Sequence, residues 1–431
     1  MSASAVERAE RATVPVEGEP RRPPGRVAIL TSNFWPEPTG TGQTVTEFAR
    51  FLADEGLDVR VATSMPYYPE WNIHPEYRGR LWRREVHRGI RILRSWHLVR
   101  PDPTTVTRIA HEGSLSALAI PNMVRALRGA DVAYIVSPAL SFALTGMLIA
   151  KAAGVRTVLI VKDVMPDAAV EMGMLTNPAL IAISTRMART VYRLADEIHT
   201  LGEGMRRRIA RLTADSGKIR IVPDTIDAEE LAPIRADDTN AFREAFVPEG
   251  TLAVLHSGNM GRKQDLDLIL RAADLLRGEP GIRFYVVGDG AEKDRFLACL
   301  REQGLENVEH HPLQPRWMLP HMLSGADIVI VSQLPEVVDI VVPSKLITAM
   351  AAGAMIVAAC PEDSETAELI RASGGGVRIP ASDHEALAEV IREVARGGLE
   401  TLELRRRARE FAVARFDRGA VYRPMARLRT A

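Results

Sequence analysis

The sequence predicts an α/β protein of two doubly wound domains facing each other across a cleft. From Arg26 onward, short runs rich in Val, Ile and Leu alternate with longer amphipathic stretches. That alternation builds parallel sheets covered by helices. The alternation stops at 223–234, PDTIDAEELAPI, where two prolines and no periodicity mark a linker, and then restarts. The length of 431 residues leaves room for two large domains at roughly 150 residues per domain or more.

The first 25 residues, rich in Ala, Glu, Arg and Pro, have no apolar core and read as a disordered tail rather than a secretory signal. The first domain, 26–222, opens with the strand VAILTS (27–32). A Gly/Pro/Thr loop (33–42) follows, then a helix from Gln43 to Glu55 with Val45, Phe48 and Leu52 at helical spacing. Gly56 ends that helix, and LDVRVAT (57–63) is the next strand. Further strands are IRIL (90–93), VAYIV (132–136), TVLIV (157–161), EIHTL (197–201) and IRIV (219–222). The stretch 104–127, with Val106, Ile109, Leu118 and Val124, reads as a core helix. An acceptor-facing or membrane-facing element, with Trp96 and Leu98, is the other reading. Val132 to Ala150 carries no charge and is long enough to span a bilayer. Pro138 divides it into a strand, a turn and a short buried helix, which argues against a span.

The second domain, 235–410, repeats the alternation. Its strands are LAVLHS (252–257), IRFYVVG (282–288), DIVIVS (327–332) and MIVAA (355–359). Its helices fall at 264–277, 291–303, 344–352 and 383–396, with a last helix at 401–417. The segment from about 411 to 431 is expected to pack back on the first domain.

Lys+Arg and Asp+Glu both number 55, so there is no basic excess to hold nucleic acid by bulk charge. A run of arginines (Arg78, Arg80, Arg83, Arg84, Arg88) is a solvated face or a local basic patch. Cys299 and Cys360 are isolated, which excludes a disulfide scaffold or a cysteine zinc site and suits a reducing, cytoplasmic compartment. Lysine is scarce, at 151, 162, 218, 263, 293 and 345 only.

Ligands of doubly wound sheets bind beyond the carboxyl ends of the strands, so candidate residues are sought in those loops. Gly40 and Gly42 follow the first strand and precede a helix, where backbone N–H groups can approach an anion. In SGNMGRKQ (257–264), Arg262 and Lys263 sit in the first turn of a helix, a place where cations make sense with an anion between them and the helix. VGDG (287–290) lets backbone pass close to a flat group. Pro343-Ser344-Lys345 opens another helix with a third first-turn cation. Lys162, Asp163 and Asp167 stand just past an apolar strand. Asp265 and Asp267 spell DxD, but inside a helical pattern rather than at a strand end, so no metal site is read there.

With these loops in place, residues 26 to about 418 resemble a family 4 glycosyltransferase of the GT-B fold: two facing doubly wound Rossmann-like domains with a cleft between them. The nearest branch acts in colanic-acid and O-antigen assembly. The resemblance rests on PEPTGTGQ (36–43), YYPEW (67–71), KDVMPDAA (162–169), SGNMGRKQ, VGDG and PSKL (343–346), in that order. KDVMPDAA is similar to the branch's "QDLWPES", and PDTID (223–227) to the family's "PNGVD".

The resemblance implies transfer of a sugar from a nucleotide-diphosphate sugar to an acceptor hydroxyl, with retention and without metal or other cofactor. Gly40, Gly42, Lys263, Arg262, Ser344 and Lys345 would serve the diphosphate. Gly258, Gly288, Gly290 and Asp339 would serve base and ribose. Asp163, Lys263 and Arg262 would form the catalytic set. The acceptor would be a saccharide, a lipid-linked sugar or a small molecule, with peripheral contact at the inner membrane face. One departure stands out: where the family carries two glutamates eight positions apart, this chain has Ile340 and Thr348. That motivates one alternative, a non-enzymatic nucleotide-sugar-binding relative; a second is another GT-B enzyme, a nucleotide-sugar epimerase, whose usual acidic and His catalytic set is not evident here. A nicotinamide oxidoreductase would need GxGxxG with a downstream ribose carboxylate, and neither domain offers both.

Overall fold

The computed structural model describes residues 25–37, 40–68, 70–101, 105–137, 139–171, 175–235, 237–261, 264–335 and 344–427. The first sheet has eight strands. They are β1 (Arg26–Leu30), β2 (Asp58–Ser64), β3 (Trp82–His87), β4 (Ile90–Ser95), β5 (Val132–Ser137), β6 (Arg156–Val161), β7 (Glu197–Thr200) and β8 (Ile219–Ile221). The second has six: β9 (Leu252–Asn259), β10 (Ile282–Asp289), β11 (Val308–His311), β12 (Ile328–Ser332), β13 (Ile356–Ala359) and β14 (Val377–Ile379). The strand orders are β3-β4-β2-β1-β5-β6-β7-β8 and β11-β10-β9-β12-β13-β14. Every pairing is parallel except β3 with β4.

In both sheets the order reverses beside the first strand, at β1/β5 and at β9/β12. Ligand crevices open at such switch points. Helices cover both faces, so strands such as β5 and β12 are buried at every position, the reason they read as unbroken apolar runs. The helix Gly40–Asp54 lays Val45, Phe48, Ala49 and Leu52 on one face of the first sheet. It starts three residues before the expected Gln43.

The two domains are tied by two crossing segments. The linker runs beside the end of the helix Thr401–Phe416: Ile226 N–H donates to the Phe416 carbonyl (2.9 Å) and Arg418 N–H to the Ile226 carbonyl (3.1 Å). The helix Thr401–Phe416 stays with the second domain through Ala408, Ala412 and Phe416. The chain bends at Asp417, so the returning segment is the helix Arg418–Arg427 rather than one continuous helix from about 411. Tyr422 and Met425 enter the first domain's core. Tyr134 Oη donates to the Met425 carbonyl at 2.8 Å, and the Phe48 and Tyr422 rings lie 5.0 Å apart.

Candidate active site

The carboxyl ends of the two sheets enclose a cleft of about 1230 Å³. Gly40, Lys162 and Asp163 line it from the first domain, Asp224 and Asp227 from the linker, and Arg316, Ser344 and Thr348 from the second domain. Of the residues predicted from sequence, Gly40, Asp163 and Ser344 are thus brought to one cavity. Gly42, Gly258, Gly288, Gly290 and Lys345 are described but are not among those lining it. Arg262, Lys263 and Asp339 lie outside the described residues, as does Ile340.

On the first domain, Gly40 has φ +62°, a left-handed conformation that glycine adopts without a Cβ penalty. Gly42 is buried against Glu37: a Cβ there would lie 3.0 Å from both Cβ and Oε2 of Glu37. The Glu37 carboxylate accepts hydrogen bonds from Tyr67 N–H and Tyr68 N–H (3.0 Å each) and from Asn33 Nδ2 (2.9 Å). Burial raises its pKa, and these donors and Arg94 pull it back. Glu37 therefore staples the glycine loop to the loop after β2. Nothing in the PEPTG run (36–40) itself signals this role.

Asp163 is open to the cleft yet crowded by protein on several sides. That crowding, then the like charge of Asp224, raises its carboxyl above the usual range, while Lys162 opposes the rise. Lys162 forms an ion pair with Asp224. Asp167 lies near Arg208, at 4.0 Å.

On the second domain, Lys345 crosses the β9/β12 switch point. Its Nζ donates to Gln264 Oε1 at 2.6 Å, and its Cε passes 3.9 Å from where a Gly258 Cβ would sit. Burial pushes its ammonium down to about 8. His256, on β9, is fully buried, and desolvation with the Lys345 charge drives its pKa well down, so it is neutral. Thr348, where the family carries a glutamate, donates its hydroxyl to the Ser344 carbonyl (2.5 Å). Gly288 and Gly290 pack against backbone: a Cβ at 288 would lie 2.0 Å from the Gly258 carbonyl oxygen, and one at 290 2.6 Å from that of Met260.

The DxD aspartates are engaged within the protein. Asp265 caps the helix Leu266–Leu275 by accepting Leu268 N–H (3.1 Å) and accepts the Ser382 hydroxyl (2.5 Å). Asp267 pairs with Arg295 at 2.9 Å. Among the described residues no group of three or more His, Cys, Asp or Glu is placed to hold a metal ion, and no helix is long and apolar enough to cross a membrane.

Two facing doubly wound sheets, a shared cleft and a C-terminal helix returned to the first domain define a GT-B glycosyltransferase scaffold. HepE of Anabaena, solved in complex with UDP, superposes with TM-score 0.68 at 14% identity, over 93% of this chain and 98% of that one. WaaG, a glycosyltransferase involved in lipopolysaccharide biosynthesis, superposes with TM-score 0.61 at 16% identity, over 94% and 100%. Residues 39–225 match the family described as a glycosyl transferase 4-like domain, and 237–415 the glycosyl transferases group 1. WcaI of Escherichia coli K12, named as a colanic acid biosynthesis glycosyl transferase, is 30% identical over 376 residues, covering 85% of this chain and 91% of its own. WbjE of Pseudomonas aeruginosa, named as a glycosyltransferase, is 27% identical over 281 residues, 64% and 69% of the two chains. The chain belongs to the family 4 glycosyltransferases, in the colanic-acid and O-antigen branch, and is a glycosyltransferase of glycoconjugate biosynthesis.

Proposed function

We propose that the protein moves a sugar from a nucleoside-diphosphate sugar to a hydroxyl of a lipid-linked or other saccharide acceptor, with retention of configuration and without a metal. The observation that carries this reading is the cleft itself, which sets the Asp163 carboxylate of one domain opposite the Ser344 helix start of the other. In the reaction the bond from the anomeric carbon to the β-phosphate oxygen breaks, and a bond to the acceptor oxygen forms on the same face. The acceptor proton ends on the departing phosphate. Lys345, with Arg262 and Lys263, would hold the negative charge that grows on the leaving diphosphate. Asp163 would stabilise the positive charge on the sugar. Domain closure would exclude water.

HepE is a UDP complex, which makes UDP-sugars the first donors to test, beside GDP- and dTDP-sugars. One class should raise the unfolding temperature, because a ligand at 100 times its Kd stabilises by about 2.7 kcal/mol. Release of nucleoside diphosphate should then require an acceptor. A thermal shift with no turnover would favour the non-enzymatic reading, and no shift with any donor would defeat both.

Lys345 adds a pH prediction. Its folded pKa is lowered to about 8, so the cation is present below that pH and lost as pH rises through it. Donor kcat/KM should therefore fall above about pH 8. Lys345→Arg keeps its charge throughout and should move that fall to higher pH. Matched profiles with an unmoved limb would remove Lys345 from donor binding.

Peripheral membrane contact is favoured by one surface. The helix Thr105–Leu127 exposes Ile109, Ile120 and Val124, and β3 beside it exposes Trp82 and Val86. Trp82 Nε1 donates to the Leu118 carbonyl (2.9 Å), so the two patches are continuous. Arg78, Arg80, Arg84 and Arg88 are exposed nearby, whereas Arg83 turns inward over the Tyr77 ring. Apolar side chains rimmed by arginine suit an anionic bilayer face. Trp82→Ser with Ile120→Ser should cut co-sedimentation with phosphatidylglycerol vesicles several-fold; equal sedimentation would sink this contact.

A further inference from the structure

We propose that the Lys162–Asp224 ion pair is a positioning device for Asp163, built between the first domain and the linker, that fixes the electrostatic setting of that carboxylate. The inference rests on the reading that Asp163 faces the reacting sugar.

Lys162 directly follows β6, and Asp224 belongs to the linker rather than to either sheet. Both line the cleft beside Asp163. The Lys162 side chain is mostly covered. Behind it, His199, Val222, Pro223 and Tyr422 leave a cavity of only about 30 Å³, so the ammonium has little room to retreat from Asp224 into the first domain. The linker is held from its other side as well: the Thr225 hydroxyl donates to Tyr422 Oη at 3.0 Å, and Arg418 pairs with Asp227 at 2.5 Å. Asp224 is therefore fixed with respect to both crossing segments, and Lys162 carries that position to the neighbouring residue, Asp163.

Lys162 and Asp224 act on Asp163 in opposite senses, the first lowering and the second raising its pKa. Several other charged groups around the site have partners of their own. His199, on β7, is tied to Glu197 at 2.8 Å, Asp227 is matched by Arg418, and Glu230 by Arg316 at 2.6 Å. Glu47 lines the cleft from the helix Gly40–Asp54, and Asp417 from the second crossing segment.

The test is a carboxyl titration of the full chain carrying ¹³C-labelled aspartate, followed by NMR without any donor. The Asp163 signal is assigned by its loss in Asp163→Asn. Lys162→Gln should move the Asp163 midpoint to higher pH and Asp224→Asn to lower pH, each by about half a unit or more. The double variant, which removes both charges, should return close to the starting midpoint, and Lys162→Arg should leave it in place. Thermal unfolding of each variant checks that the fold persists, and Lys162→Met, which also removes the charge, serves if Lys162→Gln does not fold. Midpoints that stay put, or that move the same way in both single variants, would overturn the device. If the midpoints move as expected but Asp163→Asn transfers sugar at the full rate, the device exists but the catalytic reading of Asp163 is what fails.

Discussion

Asp163→Asn is expected to lower kcat for sugar transfer by about 10²–10³-fold, the usual cost of losing one preorganised group that faces developing charge. The amide keeps the shape of the carboxylate and loses only its charge. Positive charge on the sugar grows in the transition state and is nearly absent in the bound donor, so the loss should fall on kcat and leave donor KM little changed. The fold should not suffer. Asp163 has a raised pKa, which means that the folded protein disfavours its ionised form. Above that pKa the charge opposes folding, so at neutral pH the neutral variant should unfold at the same temperature or slightly higher. Steady-state kinetics with the donor that shifts thermal unfolding, run beside the unfolding curve, reads all three quantities. A kcat within a factor of two of the parent would remove Asp163 from the chemistry.

The central parallel strands were readable because burial on both faces leaves no choice but apolar residues. The edge strand β3, WRREVH, was not, and its pattern explains why. Its apolar residues Trp82 and Val86 lie on its exposed face, while Arg83, Glu85 and His87 lie on the more covered one. Groups on that covered face are satisfied by distant partners: Glu85 binds the buried Arg94 guanidinium, and His87 stacks on Trp35 at 4.0 Å. Such pairings have no local signature. The short strands β11 (VEHH) and β14 (VRI) fail for a related reason, since three or four residues with polar members show no period. In the site, the loops after the strands were legible, and the first-turn position of Lys345 with them. Its burial was not, because it comes from contacts across the fold, such as the one its ammonium makes with Gln264, 81 positions away. Glu37 was hidden likewise, since two of its donors are the backbone of Tyr67 and Tyr68, some 30 positions on.

Gly288→Ala should destabilise the second domain by about 3 kcal/mol or more, whatever the donor. Gly288 lies near the end of β10, paired in register with Gly258 of β9. A methyl group there would sit 2.0 Å from the Gly258 carbonyl oxygen, 3.2 Å from its carbon and 3.3 Å from Met260 Cγ. Backbone cannot rotate aside as a side chain does, so the two strands must separate or shift register. Forcing atoms into a packed interior costs about 1–3 kcal/mol even where side chains can yield, and here the obstacle is a central ladder. Against a total stability of about 5–15 kcal/mol that is a large share, and in a domain of this size it corresponds to a fall of roughly 6–12 °C in unfolding temperature. Gly281 provides the control, because nothing lies within 4 Å of its Cβ position and it has no left-handed backbone. Gly281→Ala should therefore stay within about 0.5 kcal/mol of the parent. The comparison also separates two reasons for glycine at 288. A residue kept small only to admit a nucleotide base would lose donor affinity on substitution and keep its unfolding temperature. One kept small by strand contact loses stability in the free protein, and the 2.0 Å approach to backbone argues for the second.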